Sequence, residues 1–289
     1  MASPPSLAIT ALPIATRIAR EAGATIRVAQ RRVPGGHCEG GSGGGGGSDS
    51  GGGDGGSGAP VVTAKSNHTD LVTTTDIAVQ GAIFSALRHH YPDFSYIGEE
   101  DDGDGGASDE GRGHVLGDGP TWIVDPIDGT ANFVAGLADV CVSLALAIHR
   151  RVILGVVYSP VMDELYTATA GGGATLNGVR LPPPVCDRLA DGLVVMEWGY
   201  DRSPGGMDAM LAAARGVLGA PARGVRQLGS GILDMCYVAA GRVAAVYTGV
   251  AGEGWRIWDY AAAGLIVAEA GGVVVTGRGT PGIHRELPR

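Results

Sequence analysis

Residues 121–134 read TWIVDPIDGTANFV. An apolar run of strand character, TWIV, carries two carboxylates, Asp125 and Asp128, into a turn punctuated by Pro126 and Gly129, with Thr130 next. Proline donates nothing to a ladder and is confined to edges and bulges, so a central strand is expected to leave its sheet at Pro126. A strand end followed by a tight turn holds oxygen ligands close together and rigidly, as hard divalent cations require. Two further acidic stations lie at residues 97–101 (IGEED) and 257–264 (IWDYAAAG). Carboxylates carried on separate elements point to a metal site assembled by folding.

The chain has 289 residues, enough for one large domain or two sub-domains around a substantial core. Hydrophobic residues at 44% and charged residues at 18% place it among globular proteins. A net charge of -9 leaves no basic stripe to neutralise a nucleic-acid backbone. Cysteines at 38, 141, 186 and 236 form neither CxxC pairs nor a dense framework, which suits a reducing compartment. The first residues lack a basic stretch followed by an apolar core, and no apolar run reaches the roughly 18–20 residues that span a bilayer. The expectation is a cytoplasmic protein with no membrane and no nucleic-acid partner.

Residues 6–32 have helical periodicity, with Ile14, Ile18, Ala22 and Ile26 on one face, stopped by Pro34 and Gly35. The Gly/Ser/Asp tract at 35–58 has no apolar surface to offset its ordering entropy and is expected to be a disordered insertion. It lacks the GxxxxGK[ST] ending of a phosphate loop. A second helix is expected over 76–91, then a Gly/Asp-rich loop over 101–119. The β-rich runs 140–148, 152–158 and 164–168 are spaced as an antiparallel meander. A strand over 192–198 and helices over 206–218 and 230–240 follow. Strands over 243–248 and 273–276 bracket a helix over 258–270, whose Gly271-Gly272 ending suits a positive φ. The result is a single catalytic unit, 1–289, of packed helices and sheets, with sub-domains of about 1–185 and 186–289.

Gly98-Glu99-Glu100, the stretch from Trp122 to Phe133, and Trp258-Asp259 running to Gly271-Gly272 stand in one order along the chain. They resemble the GEE, WxxDPxDGTxNF and WDxAAAxLIxxEAGG signatures of the inositol monophosphatase family of Mg²⁺-dependent, lithium-sensitive sugar phosphatases. Lys65 to Asp76 (KSNHTDLVTTTD) and Gly224 to Cys236 (GVRQLGSGILDMC) resemble two more of its segments. The resemblance implies an α+β fold, a layered αβαβα sandwich, and a homodimer. It implies hydrolysis of myo-inositol monophosphate to inositol and phosphate by direct attack of a metal-activated water. The tail after residue 276 is short for that fold, so its last strand and helix are expected to be missing or replaced.

Under this resemblance Glu99, Asp125, Asp128 and Asp259, with the Ile127 carbonyl, hold two or three Mg²⁺ ions, Asp125 bridging two of them. Oxygen donors without His or Cys favour Mg²⁺ or Mn²⁺ over Zn²⁺. Bound metal would also supply the local positive charge that an acidic chain needs to bind a phosphate ester. Asp76 and Thr130 form the pair that orients and polarises the nucleophile; on local grounds Asp76 reads equally as a helix N-cap. The amides of Gly129 and Thr130 are expected to meet phosphate oxygens, and Gly229, Ser230 and Gly231 to wall the sugar. Haloacid-dehalogenase phosphatases use DxDxT with an attacking Asp. Here the acids are three apart, around Pro126, which favours water. The family's sugar-binding acid falls seven positions before its last Asp, here Gly252, with Glu253 beside it as the substitute. Lys65 resembles a lysine near the metal loop. The alternatives are a histidinol-phosphate, sugar 1-phosphate or bisphosphate-nucleotide phosphatase of the same fold, or a non-catalytic regulatory homologue.

Overall fold

Period-two alternation sorts the apolar strand residues to the two sides of one sheet. The computed structural model describes residues 4–31, 62–64, 71–102, 116–249 and 255–275. Helix α1 (Pro4–Gln30) leads to the antiparallel pair β1 (Val62–Ala64) and β2 (Leu71–Thr73), and then to α2 (Thr74–His90). The main sheet follows in the order β3 (Ser95–Gly98), β4 (Thr121–Asp128), β5 (Cys141–Ile148), β6 (Arg151–Ser159), β7 (Glu164–Thr169), β8 (Gly173–Leu176) and β9 (Val179–Arg180). The short α3 (Thr130–Ala135) lies between β4 and β5. Only the β3–β4 pair is parallel. Trp122, Val124, Val142, Leu144, Leu146, Leu154 and Val156 pack with the alanine-rich face of α1 and with α2. Their neighbours Ile123, Cys141, Ala145, Ala147 and Val157 face the opposite core.

On that second face lie α5 (Gly231–Ala239) and α6 (Ile257–Ala270). Nearly all of α6 is apolar and buried, as befits a helix covered on both sides. It comes very close to the sheet: a Cβ on Gly155 would stand 2.6 Å from the Ala262 carbonyl oxygen. Beyond it runs a small parallel sheet, ordered β11 (Gly224–Arg226), β10 (Leu193–Met196), β12 (Ala245–Tyr247). Helix α4 (Pro204–Gly219) packs against β11. The layers are therefore αβαβα, as expected.

Several details differ from the sequence reading. The ladder does not end at Pro126. Asp125 pairs with Ser143 and Asp128 with Cys141, so β4 has one more residue than β5 across this interval, a bulge. Because β3 ends opposite Val124, Pro126 also lies beyond the last neighbour on its other side, where no donor is missed. Strands β3, β8, β9 and β11 were not expected; each has four residues or fewer and is defined by its partner. In place of a strand over 273–276 there is one isolated bridge residue, Val275, and Thr276 lies outside the described residues. So do the tract at 35–58, Lys65, residues 103–115, Gly252 and Glu253. Gly271 closes α6 at φ 94°, as its position predicts.

Candidate active site

The bulge in β4 sets the geometry. It turns Asp125 inward, 1% exposed, with its Oδ1 reached by no hydrogen-bond partner among the described residues. Burial first, then the charges of Glu99, Asp128, Asp259 and Asp76, hold this carboxyl well above the ordinary carboxylate range. Glu99 opens a 3₁₀ turn at the end of β3, beside β4. Asp259 sits in the first turn of α6, half-buried, and accepts from the Arg256 amide at 2.5 Å. Its carboxyl is also held well up, by burial and then by Glu99 and Asp128. The acids thus share one region. Among the described residues no three of them are drawn together as a closed cage.

Asp128 is held differently. Its Oδ2 accepts from Ser230 Oγ at 2.5 Å and the Ile232 amide at 2.9 Å, with the Cys141 thiol 3.8 Å away. Burial raises its carboxyl to about 6; the Ser230 and Ile232 bonds oppose the rise, and Glu99 and Glu197 add to it. Ser230, expected to help wall the sugar, is turned toward Asp128 in the structure. It is 0% exposed, and its hydroxyl belongs to Asp128. Gly231 lies under Trp255, whose ring a Cβ would meet at 2.8 Å. Gly229, at φ 80°, backs onto Asn132.

Asp76 is buried next to Thr130. Thr73, not Asp76, is the N-cap of α2; its hydroxyl accepts from the Thr75 and Asp76 amides, while Asp76 at the third helical position accepts from Thr73 in return. The other oxygen, Oδ1, lies 3.3 Å from Thr130 Oγ1, which is also 3.1 Å from the Ile127 carbonyl oxygen. Burial raises Asp76 to about 6 against the opposing Thr73 bonds, with Glu99 adding to the rise. Gly129 makes the turn possible: its φ is 83°, and a Cβ there would lie 2.7 Å from the Asp139 carbonyl oxygen. No side chain caps α3, so its first amides have no intrahelical partner.

Sequence reasoning missed Glu197, Asp234 and Asn132. Glu197 accepts from the Leu228 and Gly229 amides, and Asn132 Nδ2 donates to the Asp139 and Leu228 carbonyls. The Asn sits inside the quoted TANFV run and the Asp inside ILDMC, but nothing local marks either as a loop anchor.

The donor set fits a hard cation: oxygen atoms only, one of them a buried carboxylate oxygen with no partner among the described residues. Clustered acids beside the start of a short helix, on a five-layer sandwich, define a class, the metal-dependent phosphatases of this architecture. Residues 12–287 match the Inositol monophosphatase family, and the chain belongs to it. It is 40% identical to inositol monophosphatase 1 of Homo sapiens over 220 residues, 76% of each chain. With the inositol monophosphatase of Dictyostelium discoideum it is 41% identical over 208 residues, 71% of this chain and 72% of the other. Its fold matches the crystal structure of the extragenic suppressor protein SuhB from Bartonella henselae with a TM-score of 0.75 at 29% identity, covering 96% of this chain and 91% of that one. The Thermotoga maritima IMPase gives 0.68 at 29% identity, covering 95% and 89%.

Proposed function

We propose that the chain hydrolyses myo-inositol monophosphate to inositol and phosphate, with water as the nucleophile. The observation that carries this reading is Asp125, buried with one oxygen that has no partner among the described residues, beside the charges of Glu99, Asp128 and Asp259. Such a group is costly to the fold and makes sense as half of a cation site. Glu99, Asp125, Asp128, Asp259 and the Ile127 carbonyl would hold two or three Mg²⁺ ions, which supply charge neutralisation and a more acidic water. Thr130 has one proton and two acceptors in reach, Asp76 Oδ1 and Ile127 O, so its lone pairs remain to accept from the attacking water. Asp76, ionised at neutral pH with its carboxyl at about 6, draws that proton onward as general base. The amides of Gly129 and Thr130 meet the phosphate oxygens. Glu253 is the candidate for ring-hydroxyl recognition.

The same reading includes lithium sensitivity, a homodimer and a cytoplasmic place of action, with neither nucleic acid nor membrane as partner. The net charge of -9 supports the first exclusion. Among the described residues no helix is long and apolar enough to cross a membrane. A panel of phosphate esters assayed with and without Mg²⁺ is the test. Metal-dependent phosphate release, fastest from inositol monophosphate, is expected; a faster histidinol-phosphate or nucleotide reaction reassigns the substrate, and metal-independent release defeats the mechanism.

A further inference from the structure

Glu197 lies just past the end of β10, where the small sheet meets the acidic pocket. Its Oε1 accepts from the Leu228 amide at 2.8 Å and the Gly229 amide at 3.0 Å. That pins the turn whose next residue, Ser230, donates to Asp128. One helical turn along α5, the Asp234 amide donates to the Ser230 carbonyl at 3.0 Å. The Asp234 side chain is 0% exposed, and no donor among the described residues reaches either of its oxygens. Its carboxyl is instead within hydrogen-bonding reach of the Glu197 carboxyl, with Asp128 and Asp139 as further negative neighbours. Two acceptors make no hydrogen bond with each other unless one carries a proton. Glu197 already accepts from two amides while no donor among the described residues reaches Asp234, so the proton between them is placed on Asp234.

We propose that Asp234 is a positioning residue: its neutral carboxyl donates to Glu197, and this acid pair locks the 228–230 turn so that Ser230 and Ile232 hold Oδ2 of Asp128. Oδ1 of Asp128, with no partner among the described residues, then stays available to the pocket. Burial, reinforced by Glu197, holds the Asp234 carboxyl up at about 9, so the proton persists at neutral pH. The inference rests on the reading of Asp128 as a metal ligand.

Two variants of the full chain test it. Asp234→Asn keeps shape and an N–H donor toward Glu197; Asp234→Leu keeps bulk and removes the donor. The half-activating Mg²⁺ concentration should stay within about twofold in Asp234→Asn and rise about 10–100-fold in Asp234→Leu, the usual scale for a partner of a metal ligand. Hydrogen exchange at the Leu228 and Gly229 amides should be slow in the parent and Asp234→Asn, and at least about tenfold faster in Asp234→Leu. An unchanged Mg²⁺ requirement and unchanged exchange in Asp234→Leu, or equal damage in both variants, overturns the proposal. If Asp234→Leu does not fold, the other two proteins still decide. Above about pH 9 those amides should open in the parent, beyond base catalysis, and stay closed in Asp234→Asn; matching profiles overturn the acid pair. A parent that hydrolyses no ester defeats the proposed function, while the exchange readout still judges the lock.

Discussion

Replacing Asp125 by Asn should abolish turnover and, in the absence of metal, make the protein more stable. Asp125 is buried, and its carboxyl is raised well above the model-compound value of 3.8, by burial before any neighbouring charge. Folding therefore opposes its ionisation: the unfolded chain gives up this proton more readily than the folded one, so the buried acid destabilises the metal-free fold, and removing it relieves the acids around it. Asn stands in for the neutral acid at no such cost, but its extra N–H lacks a dedicated acceptor, which returns about 1–2 kcal/mol. The net gain is on the order of 1–3 kcal/mol, the scale on which replacing a buried ionisable group stabilises a fold, or a melting temperature a few degrees higher in chelator. The sign follows from proton counts: between the two pKa values the unfolded state binds fewer protons, so parent stability falls as pH rises, and the gain should vanish near about pH 4. Calorimetry of both proteins in EDTA at the two pH values, with activity at saturating Mg²⁺, measures all of this. A variant that melts no higher at pH 7, or gains equally at pH 4, refutes the reasoning.

Three other outcomes are expected. Thr130→Ala should lower kcat by about 10²-fold or more with little change in the half-activating Mg²⁺ concentration, since its hydroxyl faces Asp76 and Ile127; steady-state kinetics over a metal titration separates the two. Gly129→Ala combines a φ of 83° with a 2.7 Å approach to the Asp139 carbonyl and should destabilise by about 2–4 kcal/mol, read from urea unfolding. Lithium, near Mg²⁺ in size with half its charge, should inhibit uncompetitively and less strongly in Asp259→Asn; a competitive pattern in initial-rate plots contradicts the second cation position.

How far the sequence could be read depended on whether a residue's role is local or borrowed. The run TWIV is a strand by its own composition, and α6 is a helix by its length and its Gly271 stop. Strand β3 is only SYIG, and it exists because it lies parallel beside β4. The two-residue β9 is likewise a partner of β8. Pro126 misled because its rule concerns central strands, and the end of β3 makes this part of β4 an edge. Asp125, Asp128 and Thr130 were legible because a bulge and a glycine turn compress them into six residues. The anchoring of Asp128 was not. Ser230 was expected to help wall the sugar, yet its hydroxyl donates to an acid 102 positions away, and no local pattern carries that. Glu197 and Asp234 are ordinary acids until the small sheet docks.

That docking explains why the fold tolerates so unfavourable a cluster. Asp128 is carried by β4 of the large sheet but is hydrogen-bonded by residues at the start of α5, the helix layer between the two sheets. Asp259 comes from α6 in the same layer, and Glu99 from the end of β3. Asp259, and the bonds that hold Asp128, therefore join Glu99 and Asp125 through the packing of α5 and α6 onto the large sheet, which buries Ile123, Ala145, Val157, Ile232, Leu233 and Ile266 together. Burial of that many apolar side chains, at about 1.5–3 kcal/mol for each large one, exceeds the several kcal/mol that the carboxylates oppose. The repulsion is thus offset by the large apolar interface on which these acids sit.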